Sequence, residues 1–397
     1  MSSKRVVIHV GPGKTGSSAI QAWLNTNRDM LEEHGIMYPK HKLGSNTISS
    51  GHIDHALKNV NGKWECDSEK INQLLGKFYE SSAHTLLLSS EYFFHSITEF
   101  LKLIPNAEFI LYIRNPVELL ESGYNQSVKR HSNIACFVPP ERLEHFVWPY
   151  LDKLVSLHTA KPFIFRPYHS DLFEGGSIVS DLLSALGISY SHQPKQVNAS
   201  YTFPALEYKR LLNYFFIEKY ESELDALLQT YTQGESRYSL MKKESLESLN
   251  GQNVDLMANF ITKHHLNHLE PLMALFKQKN DKPLLEQQKI KLTDLVAVDD
   301  FVRTKSPKLH TMLKAKVGKH RNLFIDNDII YSVFHLEPDM SNHTAPSELV
   351  DVANKFTVHP SKRGKIMFEL ANMYFEKECL ELAIRHASAS LHFNPIT

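Results

Sequence analysis

Short apolar runs alternate with amphipathic stretches along the first half of the chain. Arg5–Val10 (RVVIHV) is apolar almost throughout and ends at Gly11-Pro12-Gly13, so it reads as a buried strand meeting a tight turn. From Ser17 to Leu31 the residues Ile20, Trp23, Leu24 and Leu31 keep helical spacing, and Gly35 closes the segment. Thr85–Leu88 and Glu108–Ile113 repeat the buried-strand pattern. Asn115 then offers a cap, and Pro116 a first helical residue, for a long helix ending near Arg130. Pro162–Phe165 predicts a fourth strand, Ile178–Leu186 an amphipathic helix stopped by Gly187, and Ala205–Phe216 a further helix. Strands that alternate with helices predict an α/β fold with a parallel sheet covered on both faces.

After about residue 270 the strand pattern fades. Residues 271–360 mix charged helical stretches with Pro and Asn breaks, and residues 361–397 read as a helical hairpin. The expected division is therefore 1–270, 271–360 and 361–397. In the hairpin, Met367, Leu370, Ala371, Tyr374, Ala383 and Pro395 fall where a tetratricopeptide unit places its large, small and proline positions; Ala387 departs from that pattern. An ordinary helical hairpin fits the same residues. One such unit cannot bury both of its faces, so it is expected to pack on the main domain or to contact another protein.

Hydrophobic residues make up 42% of the chain, enough for a packed core rather than global disorder. The 44 Lys and Arg cancel the 44 Asp and Glu, so nothing global attracts nucleic acid or a membrane, and any basic site must be local. Cys66, Cys136 and Cys379 fit no zinc or redox spacing and predict reduced thiols. No apolar run reaches the ~20 residues that span a bilayer, and Met1–Val10 has no signal-peptide core. The expectation is a cytoplasmic protein without a transmembrane segment; peripheral membrane contact stays open.

The chemistry concentrates after the first strand. Gly11-Pro-Gly-Lys-Thr-Gly-Ser-Ser18 lies between a strand and a helix, where unpaired N–H groups and the helix dipole favour an anion. Lys14 adds charge, and Thr15, Ser17 and Ser18 add hydroxyls. A tight glycine turn with a solvated lysine is the alternative, but a cation at a helix start is unfavourable unless an anion accompanies it. The order differs from the usual Gly-x4-Gly-Lys-Ser/Thr loop, because the lysine stands two positions before Gly16. Further on, Ile113-Arg114-Asn115-Pro116 closes a strand, and Ser122 follows eight residues after Arg114. Taken singly, Arg114 could be a surface partner of Glu118 or Glu121, and Ser122 a solvated helix serine.

The two motifs in this order resemble those of the sulfotransferases that use 3′-phosphoadenosine 5′-phosphosulfate. The resemblance covers roughly residues 5–190. It implies a P-loop-like, three-layer α/β domain in which Gly13, Lys14, Thr15, Gly16, Ser17 and Ser18 hold the 5′-phosphosulfate. It also implies that Arg114 and Ser122 hold the 3′-phosphate. A weaker match, Phe165-Arg166-Pro167-Tyr168 with Asp171-Leu172 and Leu186-Gly187, resembles the segment that sets a tyrosine near the adenine, although an inserted residue leaves Tyr168 open to a plain packing role. No metal is required by this scheme. In that family a histidine or glutamate after the preceding strand often takes the acceptor proton, which makes Glu91, following Leu86-Leu87-Leu88-Ser89-Ser90, the positional candidate. An ordinary exposed acid fits equally. His52 and His55 are the second candidates; as a pair they make an incomplete metal site.

Tyr92, Phe93 and Phe94 could floor an acceptor pocket or fill the core. Arg303–Arg321 carries seven Lys or Arg and no acid. Such a run usually marks a solvated face, and it could also hold a polyanion. The acceptor expected is a saccharide or glycan, with no role for nucleic acid. Two rival readings stay open: a kinase with an aberrant loop, and a non-catalytic scaffold whose helical end binds a partner.

Overall fold

The computed structural model describes residues 4–42, 49–143, 147–158, 162–191, 200–278, 282–319, 328–337, 360–376 and 380–393. Met1, Arg321, Cys379 and Pro395, which entered the sequence reading, lie outside these residues. The chain forms two compact units. One comprises Met1–Leu119, Pro140–Val197 and Glu247–Lys279; the other comprises Leu120–Pro139, Asn198–Leu246 and Asn280–Thr397.

The first unit is built on a five-stranded parallel sheet. Its strands are β1 (Arg5–Gly11), β2 (Ile36–Met37), β5 (Thr85–Ser89), β6 (Glu108–Ile113) and β7 (Phe163–Pro167), in the order β2-β5-β1-β6-β7. Between them in sequence, β3 (Leu57–Val60) and β4 (Lys63–Cys66) form a separate antiparallel hairpin. The central strands are apolar at nearly every position because both of their faces are covered. Side chains alternate between the faces. Ile8, Leu88, Phe109 and Phe165 join one core with Phe78, Phe100, Trp148 and Phe260. Val7, Leu87, Ile110 and Tyr112 join another with Ile20, Leu24, Leu182 and Leu183. The unit is thus α/β, with helices on both faces of a parallel sheet.

Most predicted elements of this unit stand within a residue or two of their expected limits. The Ser17–Leu31 helix differs: it is broken at Asn27 into Ser17–Thr26 and Arg28–Glu33. Asn115 caps the helix Pro116–Arg130 by accepting the Val117 N–H through Oδ1 at 3.0 Å. The same oxygen accepts from Asn253 at 3.2 Å, and Asn253 in turn accepts from the Trp148 indole at 2.8 Å. This chain of amides fixes the turn that follows β6.

The second unit is helical. Every residue of the helix Phe203–Asn213 is buried, including four polar or charged ones, and each of these finds a partner. Glu207 accepts from Arg210 at 2.6 Å and from Gln288 at 2.6 Å, while Gln288 also donates to Tyr124 at 2.8 Å. Lys209 reaches Asn213, the Val128 carbonyl and Glu221. Breaking one partner of such a buried set strands the other, typically at a cost of about 3–5 kcal/mol.

The core around this helix gathers Tyr124, Val128, Phe215, Leu295, Val302, Leu313, Tyr331, Met367, Leu370 and Tyr374. For that reason the contiguous 1–270 domain expected from the fading strand pattern is not a compact unit: residues 120–139 and 198–246 share a core with the C-terminal helices. The helices Pro360–Glu376 and Leu380–Phe393 pack on each other, and their inner face joins this core. Phe368, Phe375, Leu380, Ile384 and Leu391 stay exposed. The basic run divides between two helices. Its Leu309, Leu313 and Val317 are buried, and Lys316 reaches the Phe216 carbonyl at 3.3 Å. Burial pushes the Lys316 ammonium down to about 8. Among the described residues no helix is long and apolar enough to cross a membrane.

Candidate functional site

In a parallel sheet the C-terminal strand ends lie along one edge, and the segments that follow them share a crevice there. In the first unit these segments are Gly11–Gly16 after β1, Ser90–Glu91 after β5, Arg114–Asn115 after β6 and Tyr168 after β7.

The loop after β1 is held by its own backbone. The buried Thr15 hydroxyl donates to the Pro12 carbonyl at 2.5 Å. This hydroxyl is spent on the loop, so Thr15 has its backbone N–H to offer an anion. Lys14 takes the left-handed conformation, with φ 68°, an uncommon state for a residue with a side chain. Gly16 follows with φ 76° and starts the helix Ser17–Thr26. A Cβ at Gly16 would stand 2.5 Å from Ile178 Cδ1 and 3.3 Å from Tyr168 Cε2, and the positive φ itself favours glycine where the helix starts beside these side chains.

The helix begins with no side-chain cap and no acidic residue in its first turn. Ser17 is 4% exposed, and its hydroxyl has no hydrogen-bond partner among the described residues. Gln21, one turn further and 1% exposed, is in the same state at both amide atoms. A native interior normally pairs such groups with protein, water or ligand. An anion at the helix start would accept from Ser17 and from the first-turn N–H groups. The residues present therefore fit a phosphate or sulfate group. Ser18 is half-buried at the same helix start.

Arg114, at the C-terminal end of β6 beside β1, reaches this loop. Its Nη1 donates to the Lys14 carbonyl at 2.7 Å, and its guanidinium lies 5.1 Å from the centre of the Tyr168 ring. The Glu118 contact suggested by the sequence is present, but at 3.4 Å it is the longer of the two polar contacts. Tyr168 is fixed by its N–H donating to the Ile113 carbonyl at 2.8 Å and by packing on Phe173. Lys14, Gly16, Arg114 and Tyr168 are thus brought together. Ser122 falls on the continuation of the Pro116–Arg130 helix that is counted in the second unit.

Compared with protein-family models, curated proteins and solved structures, the chain matches none.

On the opposite side of the loop stands Glu91, exposed, at the start of a 3-10 turn over Glu91–Ser96. Its Oε2 lies 3.5 Å from where a Cβ of Gly13 would be. Gly13 and Glu91 both line a cleft of about 930 Å³, whose other walls are the β4 residues Lys63, Trp64, Glu65 and Cys66, the turn residues Tyr92, His95 and Ser96, and Glu99 of the following helix Ile97–Leu103. Of the aromatic trio after Glu91, Tyr92 lines the cleft, whereas Phe93 and Phe94 are buried in the core. Burial pushes the Cys66 thiol up to about 12, so it stays protonated.

His52 sits differently from Glu91. It is fully buried, and both ring nitrogens are engaged: Nδ1 accepts the Ser89 N–H at 2.9 Å, and Nε2 donates to the Pro39 carbonyl at 2.7 Å. Burial lowers its pKa to about 3. No nitrogen lone pair is left for an acceptor proton, so His52 ties the Gly51 turn to β5. His55 packs edge-on to it at 5.3 Å, and burial lowers its pKa as well. Among the described residues no three His, Cys, Asp or Glu side chains converge where a metal ion could sit.

Three supporting features lie outside the motifs read from the sequence. The first is His9, buried in β1, whose Nδ1 shares a hydrogen bond with Ser89 Oγ at 2.8 Å; burial lowers its pKa to about 4. The second is Asp181, which receives two bonds from Arg166, at 2.9 and 2.6 Å, and one from Tyr112 at 2.9 Å. This fork ties β7 to the helix Ile178–Ala185 and so presses Ile178 against Gly16. The third is the β3–β4 hairpin. Its turn Asn61-Gly62, with φ 51° and 82°, is a signature that alternation in the flanking residues could have exposed.

Proposed function

We propose that this chain is a sulfotransferase that uses 3′-phosphoadenosine 5′-phosphosulfate, with a P-loop-like first unit as its donor domain. The observation that carries the reading is the bond from Arg114 to the Lys14 carbonyl, because it joins the two anion motifs of the sequence into one local site. The Ser17 hydroxyl, without a hydrogen-bond partner among the described residues and at an uncapped helix start, supports it.

On this reading the loop N–H groups, Lys14 and the hydroxyls of Ser17 and Ser18 hold the phosphosulfate, and Arg114 beside Tyr168 holds the 3′-phosphate end. An acceptor hydroxyl or amine attacks sulfur, its new bond forming as the bond from sulfur to the bridging phosphate oxygen breaks. The nucleotide bisphosphate leaves with the electron pair of that bond. Lys14 and the helix start offset the charge that develops on the departing oxygen. Glu91, across Gly13, takes the acceptor proton.

The test is calorimetry with adenosine 3′,5′-bisphosphate, with ATP and magnesium as the control. Sulfotransfer requires binding of the bisphosphate in preference to ATP. Magnesium-dependent ATP binding indifferent to a 3′-phosphate would favour a kinase and sink the proposal, and no affinity for either would favour a scaffold.

A further inference from the structure

We propose that the cleft between β4 and the Glu91–Ser96 turn is the acceptor site and is built for an amine-bearing saccharide; the word acceptor rests on the sulfotransferase reading above. At about 930 Å³ the cleft has room for several sugar rings. Trp64 and Tyr92 stand on its walls with ring centres 6.0 Å apart and planes inclined at 71°. They are 39% and 40% exposed, among the most exposed large aromatics of the first unit. Broad aromatic surface left in water at a cavity wall is what the apolar face of a sugar ring covers.

The polar lining decides which saccharide. Glu65, Glu91 and Glu99 face one lysine, Lys63. Among the described residues none of the three carboxylates is held in a salt bridge. Carboxylates accept from sugar hydroxyls, attract an ammonium and repel uronates and sulfates. An ammonium near the Trp64 and Tyr92 rings gains a second attraction, from the π faces. A polyanionic acceptor is therefore unsuited to this cleft. Because Gly13 of the loop forms part of the same wall, a ligand filling the cleft reaches the loop, with Glu91 beside it.

The experiment titrates the full chain by calorimetry with four probes. These are a glucosamine tetramer with free amines, its N-acetylated form, a galacturonate tetramer and adenosine 3′,5′-bisphosphate. The free-amine tetramer should bind, the N-acetylated form about tenfold more weakly, and the galacturonate not measurably. Trp64→Ala and Tyr92→Ala should each cut amine-tetramer affinity about tenfold or more, with bisphosphate affinity and melting temperature unchanged. Trp64→Tyr, which keeps an aromatic face, should restore most of the affinity.

Three results would overturn the site: no amine-tetramer binding by a protein that binds the bisphosphate, equal affinity for galacturonate, or indifference to both alanine variants. Amine-tetramer binding without bisphosphate binding would instead overturn the sulfotransferase reading and leave a sugar-binding cleft.

Discussion

Arg114 donates to the carbonyl of Lys14 at 2.7 Å, across a hundred residues of sequence. A guanidinium carries five N–H donors, so this contact leaves others for a ligand while fixing the side chain. Pre-fixing lowers the ordering cost of each further bond. Arg114→Ala should weaken adenosine 3′,5′-bisphosphate by more than about tenfold, since a charge-assisted bond is worth about 1.5–3 kcal/mol. Adenosine 5′-phosphate should lose clearly less. Equal losses for the two nucleotides in parallel titrations would reduce Arg114 to a brace for the loop.

The Ser17 hydroxyl supplies a test of opposite sign in the two states. Buried and unpartnered among the described residues, it carries a desolvation cost of about 1–3 kcal/mol when no ligand is bound. Ser17→Ala removes that cost, so the ligand-free protein should melt at the same or a higher temperature. Bisphosphate affinity should fall by about tenfold, the weight of one hydrogen bond to a charged group. A variant that melts lower and binds as before would mean that the hydroxyl has a structural partner and no ligand role.

How much of this was legible in the sequence depends on how local the signal is. β1, β5, β6 and β7 announce themselves because a strand buried on both faces must be apolar at successive positions. The Asn115-Pro116 helix start is likewise local, and Val117 N–H meets Asn115 as a cap requires. The cleft is only half legible: Glu91 and Tyr92 follow from their strand, whereas Trp64 stands on a hairpin whose local mark is the Asn61-Gly62 turn. The second unit was legible in its elements, the helix near Ala205–Phe216 and the C-terminal hairpin, but not in its shared core. Glu207, Lys209 and Arg210 look like a solvated face, and only the packing of distant segments turns them into a buried, mutually paired set. The assembly of 120–139 with the C-terminal helices depends on the same distant packing and leaves no periodic trace.

The buried imidazoles predict an acid-sensitive fold. Burial holds His9 to about 4 and His52 to about 3, against an unfolded value of about 6.5. From about pH 6.5 down to those values the unfolded chain binds protons that the folded chain refuses, so stability falls as pH drops and is flat above the window. At pH 5 the loss should be about 2 kcal/mol for each of the two histidines. His41 and His55, also lowered by burial, act in the same direction. Urea midpoints at pH 7.5, 6 and 5 check this, with His52→Gln expected to flatten the slope. A midpoint that does not move between pH 7.5 and 5 would show that these rings are protonated, and so hydrated, in the folded state.

The choice of base separates Glu91 from His52. Glu91 is exposed on the cleft and lies against Gly13, whereas His52 has both nitrogens bound to backbone and no path to the cleft surface. On the proposed sulfotransferase reading, a carboxylate suffices although it is a weak base toward a free hydroxyl, because the acceptor proton becomes acidic only as the new bond to sulfur forms, where a base beside the loop would meet it. Glu91→Gln keeps the shape and removes the charge. With an established acceptor it should lower kcat by about a hundredfold or more, leaving the bisphosphate affinity and melting temperature nearly unchanged. His52→Gln should act the other way round: it withdraws the partners of the Ser89 N–H and the Pro39 carbonyl, so it should lower the urea midpoint while molecules that remain folded turn over at close to the normal rate. Stopped turnover in a fully folded His52 variant, beside a Glu91→Gln enzyme of normal kcat, would move the base from the cleft to the Gly51 turn.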